Sequence, residues 1–439
     1  MRNFKSLFFL FFLLVFAFFG CDTKNEFKDL LKDYFIKFYG EDGDQYGVDL
    51  IVNQDGTMLL LGNTISADAD RLSNIFLVMV NSEGNILWQK TLPGENETAV
   101  DIEPTLDNNF VILSNVFLRR NAVTGMNEYK IHLTKITPGG EVITDFEYNE
   151  LESQYGNAIT PVTDAYTPNG GFIVSGYTTD TDDAIIQDGV QLTDLISILV
   201  NSSIDQSVWT RRISTQLAGE IIKVFESKTY DSIKMVTDPS YDDRPFYVFG
   251  YSDDLVDSDD NESNLVCLTL TENGVWSNPF YSGTTGFQET MSQTIEANGS
   301  GFISVGTQTI APNQKRLVIA RSETDAGGLR FSGNSFKVVE GDRNMEAVSI
   351  TQSPAGGRYL ILANETHPTG TTNLWLTKVD IEGKVYWSAS FGSITKNDFA
   401  GTVRELDNGK IVILGTVELE SQNSKMALIK VNANGELLD

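Results

Sequence analysis

The chain has 439 residues, 41% of them hydrophobic and 21% charged, and its 60 acidic against 32 basic side chains leave a net charge of −28. That balance excludes a nucleic-acid partner, because a phosphate backbone is held by a basic footprint that is missing here. It also excludes an acidic disordered chain, since aromatic residues at 10% and many β-branched clusters bury enough apolar surface to offset chain entropy.

The first element, Met1 to Gly20, joins Arg2 and Lys5 to an almost unbroken apolar run, Leu7 to Phe19, that ends in Gly20-Cys21. A basic start, an apolar stretch and a small residue before a cleavage point make a secretory signal, and the run is shorter than the roughly 20 residues of a membrane-spanning helix. Cys21 stands where bacterial lipoproteins carry their lipid-modified cysteine. The N-terminus therefore resembles a lipoprotein signal, with Phe18 and Phe19 in place of the usual aliphatic and small residues. The resemblance implies a signal over 1–20, a lipidated tether over 21–33 and a domain over 34–439, and removing Arg2 and Lys5 takes the net charge from −28 to −30. The acids and lysines after Cys21 resemble surface-export signals of some diderm bacteria, whereas Asp22 resembles the inner-membrane retention signal of others. The expected address is the outer membrane, lipid-anchored at the cell surface, with its periplasmic face as the alternative.

From residue 55 onward one pattern recurs: a polar turn, an apolar run of four or five residues, then a small residue. It appears as Met58-Leu59-Leu60-Leu61-Gly62, Phe110-Val111-Ile112-Leu113-Ser114 and Phe172-Ile173-Val174-Ser175-Gly176, and four more copies end at Gly250, Gly306, Ala363 and Gly415. The spacings are 52, 62, 74, 56, 57 and 52 residues. A period of this size predicts a propeller or an array. After each run a further strand leads through a Gly-containing or Asn-Gly turn into another, as in Ile75 to Val80, Ser82-Glu83-Gly84-Asn85 and Ile86-Leu87-Trp88. Such turns are hairpin signals, because Gly and Asn readily take positive φ. The turns Pro138-Gly139-Gly140, Glu272-Asn273-Gly274 and Ala433-Asn434-Gly435 repeat the arrangement, and alternating segments such as Val48-Asp49-Leu50-Ile51 supply the remaining strand. Four strands in each of seven units predict an all-β, seven-bladed β-propeller; six or eight blades are the alternatives. Residues 34–39 look like the outer strand Val385 to Phe391, and the last unit stops at Asp439, where its own outer strand would begin. The N-terminal strand is therefore expected to complete the last blade.

Motifs such as Gly171-Phe172-Ile173-Val174-Ser175-Gly176-Tyr177 and Gly84-Asn85-Ile86-Leu87-Trp88-Gln89-Lys90 resemble repeat propellers of bacterial surface and envelope lipoproteins, over essentially residues 34–439. The spacing of Asp380, Gly383 and Trp387 is similar to quinoprotein-type propeller repeats. These occur in cofactor enzymes and in a propeller lipoprotein that assists outer-membrane barrel assembly. Fold analogy alone carries no function across.

Candidate sites are few. Trp88, Trp209, Trp276 and Trp387 fall in the outer-strand segments and Trp375 in the strand before one, so repeated placement predicts repeated packing. A glycan platform would instead use tyrosines or phenylalanines of the long loops. The acidic stretch Asp253 to Glu262 carries oxygen ligands suited to calcium, but Glu262 stands where an EF-hand loop needs Gly, so a solvated loop is expected there. The same reading covers Thr179 to Asp183 and Glu41 to Asp44. Cys267 reads as a small buried hydrophobe. The chain's two histidines, His132 and His367, show no partner in the sequence, which argues against a zinc site or a Ser-His-Asp triad. Arg119-Arg120 and Arg211-Arg212 are rare paired bases, placed to meet a partner's carboxylates or to serve as surface charge. With 60 acidic residues no carboxylate pair is singled out, so no catalytic, cofactor or metal residue is assigned and Cys21, for lipidation, is the one site residue. The expectation is a non-catalytic protein-binding scaffold of an outer-membrane complex, touching the membrane through its lipid. A periplasm-facing barrel-assembly scaffold and a glycan-binding lipoprotein, or a glycan-active hydrolase or lyase, are the alternatives.

Overall fold

The repeated apolar run becomes a strand seven times, and it lacks alternation because both of its faces are buried. The computed structural model describes residues 33–439, other than 67–71, 95, 122–126, 149–152, 164–166, 168, 179–185, 188–189, 192–193, 214–218, 227–244, 254–262, 272–276, 278, 298–300, 326–327, 334, 420–422 and 439. The seven runs are Met58–Ile65, Phe110–Arg120, Gly171–Thr178, Pro245–Asp253, Phe302–Ala311, Tyr359–Thr366 and Ile411–Glu418. Each is the second strand, B, of an antiparallel sheet ordered A-B-C-D from the axis outward, and the seven sheets are the blades of a propeller. Blade 1, for example, is Asp44–Val52, Met58–Ile65, Ser73–Val80 and Ile86–Thr91. Blade 5 adds the short strand Lys337–Val338, and a two-residue pair, Ile186–Gln187 with Val190–Gln191, decorates the B–C connection of blade 3. The A–B and C–D turns share one rim of the ring, and the B–C and D–A connections share the other.

Seven buried apolar clusters among the described residues lie between neighbouring blades, one at each interface. In blade 1, Met58 and Leu60 enter the cluster with blade 7, while Leu59 and Leu61 enter the cluster with blade 2. Every B strand is shared in this way, at roughly 1.5–3 kcal/mol per fully buried aliphatic side chain.

Blade 7 contributes only Asp398–Glu405, Ile411–Glu418 and Ser424–Val431 from its own stretch of chain, and Phe35–Tyr39 supplies its D strand. The register runs from Phe35 opposite Lys430 to Tyr39 opposite Met426. The expected N-terminal closure of a seven-bladed ring is thus the observed one. The tryptophans pack as their repetition predicts. A Cβ on Gly140, in the C–D turn of blade 2, would lie 2.8 Å from the Trp88 ring of blade 1, and one on Gly435 of blade 7 would lie 2.7 Å from the Trp387 ring of blade 6. Phe35 meets Gly84 in the same way. Trp88, Trp387 and Phe35 thus latch onto the next blade's turn; Trp276 and Cys21 lie outside the described residues.

Candidate functional site

The A strands converge on the axis, and all seven carry a register shift at the same place, from Gly47/Asp49 in blade 1 to Ala400/Thr402 in blade 7. A bulge leaves one backbone N–H without a ladder partner and re-aims the side chain after it. Both consequences are used between blades. The residue after the small residue of strand B accepts a hydrogen bond from the bulge N–H of the next blade: Asn63 from Ala99 at 2.8 Å, Asn115 from Gly156 at 2.8 Å, Thr307 from Ala347 at 2.9 Å, Asn364 from Ala400 at 2.8 Å and Thr416 from Gly47 at 3.1 Å. Closer to the axis, Asp101 accepts from Ile159 N–H at 3.0 Å, Gln293 from Ile350 at 2.7 Å and Ser349 from Val403 at 3.4 Å.

Between blades 7, 1 and 2 this inner ring carries charge. Arg404 donates to Asp49 Oδ1 at 3.1 Å and to Thr402 Oγ1 at 2.7 Å. Burial pushes the Asp49 carboxyl up to about 6, against the pull of Arg404 and with the help of the neighbouring Asp101. The channel enclosed by these groups has a volume of about 170 Å³, below the ~300 Å³ of small-molecule sites, so its polar lining acts as a lock between blades.

A larger cavity of about 920 Å³ opens on the A–B rim between blades 2 and 3, lined by Pro104, Leu106, Pro161 and Phe172 with Lys135 and Glu296. Its size and lining are those of a ligand site. Its lysine is already committed: Lys135 Nζ lies 2.9 Å from Asp107 Oδ2 and donates to the Ser202 carbonyl at 3.1 Å. On the opposite rim four half-buried aromatic rings run across blades 2 and 3. Phe117 meets Tyr129 at 5.9 Å, Tyr129 meets Tyr155 at 5.3 Å, and Tyr155 stacks on Tyr177 at 5.4 Å.

Several sequence expectations change. His132 is not without partners: its Nδ1 lies 2.6 Å from Glu97 Oε1 and its Nε2 3.5 Å from Asp145 Oδ2. Burial works against its charge, but the hydrogen bonds and charges of Glu97 and Asp145 prevail and raise its pKa. Ser114 Oγ donates to Glu97 and not to the imidazole, so the cluster is no nucleophile–base pair. His367 lies 4.0 Å from Glu365. The paired arginines are engaged within their own blades, Arg119 with Glu128 at 2.5 Å and Arg212 with Asp194 at 2.5 Å, while Arg211 sits 5.1 Å from the Trp209 ring centre. Glu41 to Asp44 is a seam turn already holding a cation, because the Lys425 ammonium donates to the carbonyls of Glu41 and Gly43 and to Gln45 Oε1 at 2.6 Å. Cys267, by contrast, is the buried small hydrophobe that its apolar run predicts, and burial pushes its thiol up to about 12, which makes it inert. Among the described residues no group of three His, Cys, Asp or Glu side chains is placed to hold a metal. The stretches 179–183 and 254–262 lie outside the described residues.

No known family model matches the chain, and no curated protein matches it in sequence. Solved structures do match in fold. A protein of unknown function from Dyadobacter fermentans superposes with a TM-score of 0.50 at 9% identity, covering 90% of this chain and 97% of that one. A polysaccharide lyase of the PL25 ulvan-lyase family, bound to -[GlcA(1-4)Rha3S]-, gives 0.51 at 9% identity over 92% and 98% of the two chains. The polysaccharide lyase Uly1 gives 0.51 at 9% identity over 90% and 91%. At such identities the likeness is one of fold alone.

Proposed function

We propose that the protein is an exported, lipid-anchored outer-membrane propeller that works as a non-catalytic protein-binding scaffold at the cell surface. The observation that carries this reading is the asymmetry between the rims. The chain enters the ring at Phe35 on the A–B rim, beside the ion pair of Asp33 with Lys410 at 3.0 Å. On the other rim the B–C connections 66–72, 121–126, 179–193 and 254–262 lengthen in four successive blades, 1–4, against the two-residue link 312–313 of blade 5, whereas the A–B rim carries one connection longer than eight residues, 227–244 of blade 4. Loops gathered on one rim of a rigid scaffold are where such folds place recognition. The test combines protease treatment of intact cells with purification from detergent-solubilised membranes. The expected results are loss of the chain while a periplasmic control survives, and a co-purifying outer-membrane protein that is lost when 121–126 and 179–193 are shortened to the blade 5 link. A chain that purifies alone from both surfaces counts against the scaffold, and protection until the outer membrane is opened favours the periplasmic face.

The aromatic row supports a second reading, a glycan platform. Tyrosine rings joining an apolar face to a polar tip suit sugars, and two of the fold relatives are polysaccharide lyases. Affinity electrophoresis against uronate-containing polysaccharides should show retardation that Tyr155→Ala and Tyr129→Ala abolish. No retardation by the unaltered protein removes the reading.

A further inference from the structure

The D strands of blades 1 and 2 begin with consecutive exposed aliphatic residues just past a C–D turn. In blade 1 the turn closed by Asn81 and Asn85 is followed by Ile86 and Leu87, 49% and 55% exposed. In blade 2 the turn of Thr137 and Glu141 is followed by Val142 and Ile143, 43% and 48% exposed. In blade 7 the turn of Asn432 and Glu436 is followed at the same two positions by Leu437 and Leu438, 38% and 66% exposed. The packing that explains the tryptophans cannot explain residues left in water. Three successive blades, 7, 1 and 2, thus present equivalent aliphatic pairs on the outer edge of the A–B rim.

That arc contains the place where the chain enters the ring. Asp33 and Phe35 lie on the same rim of blade 7, beside the A–B turn that carries Lys410 and the turn that precedes Leu437. Between Cys21 and Asp33 the backbone can span at most about 40 Å, and an eight-residue strand is about 27 Å tall, so the tether alone would let either rim approach a bilayer. The aliphatic pairs break that symmetry. Half-buried Trp88 and Phe35 stand just behind them, aromatic side chains of the kind enriched at membrane–water interfaces. The same edge carries Glu83, Glu141 and Glu436 beside Lys37, Lys90 and Lys430, with Lys90 paired to Glu141, so it offers no basic patch to an anionic lipid, and the net charge of −28 sets a zwitterionic surface above an anionic one.

We infer that the outer edge of the A–B rim across blades 7, 1 and 2 is a membrane-docking surface for zwitterionic lipid, which holds the ring with its B–C rim pointing away from the bilayer. The inference rests on the lipid-anchored reading of Cys21 and adds an orientation to it. The lipid on Cys21 would hold the chain to the bilayer, and the apolar side chains at the headgroup boundary would fix which rim faces it.

The test uses the full lipidated chain in phosphatidylcholine vesicles, with an environment-sensitive nitrobenzoxadiazole label on Leu87→Cys or, on the opposite rim, on Thr369→Cys; buried Cys267 does not compete. The expected result is loss of emission from position 87, and not from position 369, when nitroxide-bearing phosphatidylcholine is included. Mass spectrometry and vesicle flotation are read on the same samples. If the lipid mass is present and the vesicles carry the protein, but position 87 remains fully aqueous, the docking surface is refuted while the anchor stands. A chain without the lipid mass that does not float removes the anchor and the inference with it. Shielding of position 87 in native membranes but not in pure lipid would assign the arc to a protein partner and overturn the lipid assignment.

Discussion

The seam where the ring closes and the boundary between blades 3 and 4 both depart from the repeat, in opposite directions. At the seam a covalent break is over-secured. Phe35–Tyr39 pairs with Ser424–Val431, Arg404 reaches Asp49, Thr416 holds the Gly47 N–H, Ser424 N–H donates to Asp44 at 2.8 Å, and Lys430 donates to the Ser82 carbonyl at 2.8 Å. At the boundary of blades 3 and 4 the chain is continuous, yet both repeated locks change chemistry. The position after the small residue is Tyr177 where five blades have Asn or Thr, and the bulge residue is Ala158, whose methyl can accept no hydrogen bond. The longest connections, 179–193 and 227–244, belong to these two blades. The closed ring gathers directional hydrogen bonds where the chain is cut, while at blades 3 and 4 the positions that carry the repeated locks elsewhere hold a tyrosine and an alanine.

The largest expected effect comes from removing the closing strand. A chain lacking residues up to Tyr39 loses a buried tyrosine, whose hydroxyl donates to the Gly84 carbonyl at 2.8 Å, and exposes the edge of Ser424–Val431. Burying such an aromatic is worth roughly 3–5 kcal/mol, and a bare strand edge invites pairing with another chain. The melting temperature should fall sharply and the protein should self-associate in sedimentation. A truncated chain that melts as the parent does would mean that the seam is decoration.

A smaller effect is expected from a single staple. Asn115 makes two hydrogen bonds across the interface of blades 2 and 3, accepting from Gly156 N–H at 2.8 Å and donating to the Gly156 carbonyl at 3.0 Å. Asn115→Ala leaves two backbone groups unpaired in a fully buried place and should cost about 2–4 kcal/mol in urea unfolding. Supplying the missing acceptor with Ala158→Ser should do the reverse at the interface of blades 3 and 4, raising stability by about 1 kcal/mol or less and slowing amide exchange in Gly219–Glu226. If both substitutions leave stability unchanged, directional bonds do not distinguish the two halves of the ring.

The contrast between regions also shows what the sequence could reveal. Blade number, hairpin turns, the borrowed strand and the packing of Trp88 and Trp387 were legible because each is written as a repeated local pattern, an apolar run or a Gly turn at fixed offset. The staples were legible in principle: aligning the seven copies shows Asn or Thr after the small residue in five, beside Gly62, Ser114, Gly306, Ala363 and Gly415. The partners of His132, Arg119 and Lys425 were not. Each contact joins separate stretches of the chain, and Lys425 meets Glu41 across 384 positions, where hydrophobic periodicity carries no signal. The exposed aliphatic pairs were equally hidden, since Ile86-Leu87 reads as core until the strand is seen to lie at an edge. The axial cluster of Asp49, Asp101 and Arg404 appears only when three blades meet.

That axial cluster yields the finest test of the seam. Asp49 binds its proton more tightly in the folded ring than in the unfolded chain, because burial and Asp101 raise its pKa to about 6. The folded state therefore holds the extra proton between the ordinary aspartate range and about pH 6, and linkage makes stability fall as pH rises through that window. The contribution is complete below the unfolded pKa and gone above the folded one. Asp398, also raised by burial, adds a slope of the same sign, so the comparison must be with a variant and not with a flat line. Asp49→Asn carries no proton to lose, and its unfolding free energy should decline less between pH 4 and pH 6, with the difference from the parent largest in that interval. Above pH 6 the ionised Asp49 is the partner of Arg404, and the variant forfeits that attraction. Two curves that stay parallel from pH 4 to pH 7 would mean that the carboxyl is ionised throughout, held by Arg404, and that the charge at the seam is a fixed ion pair.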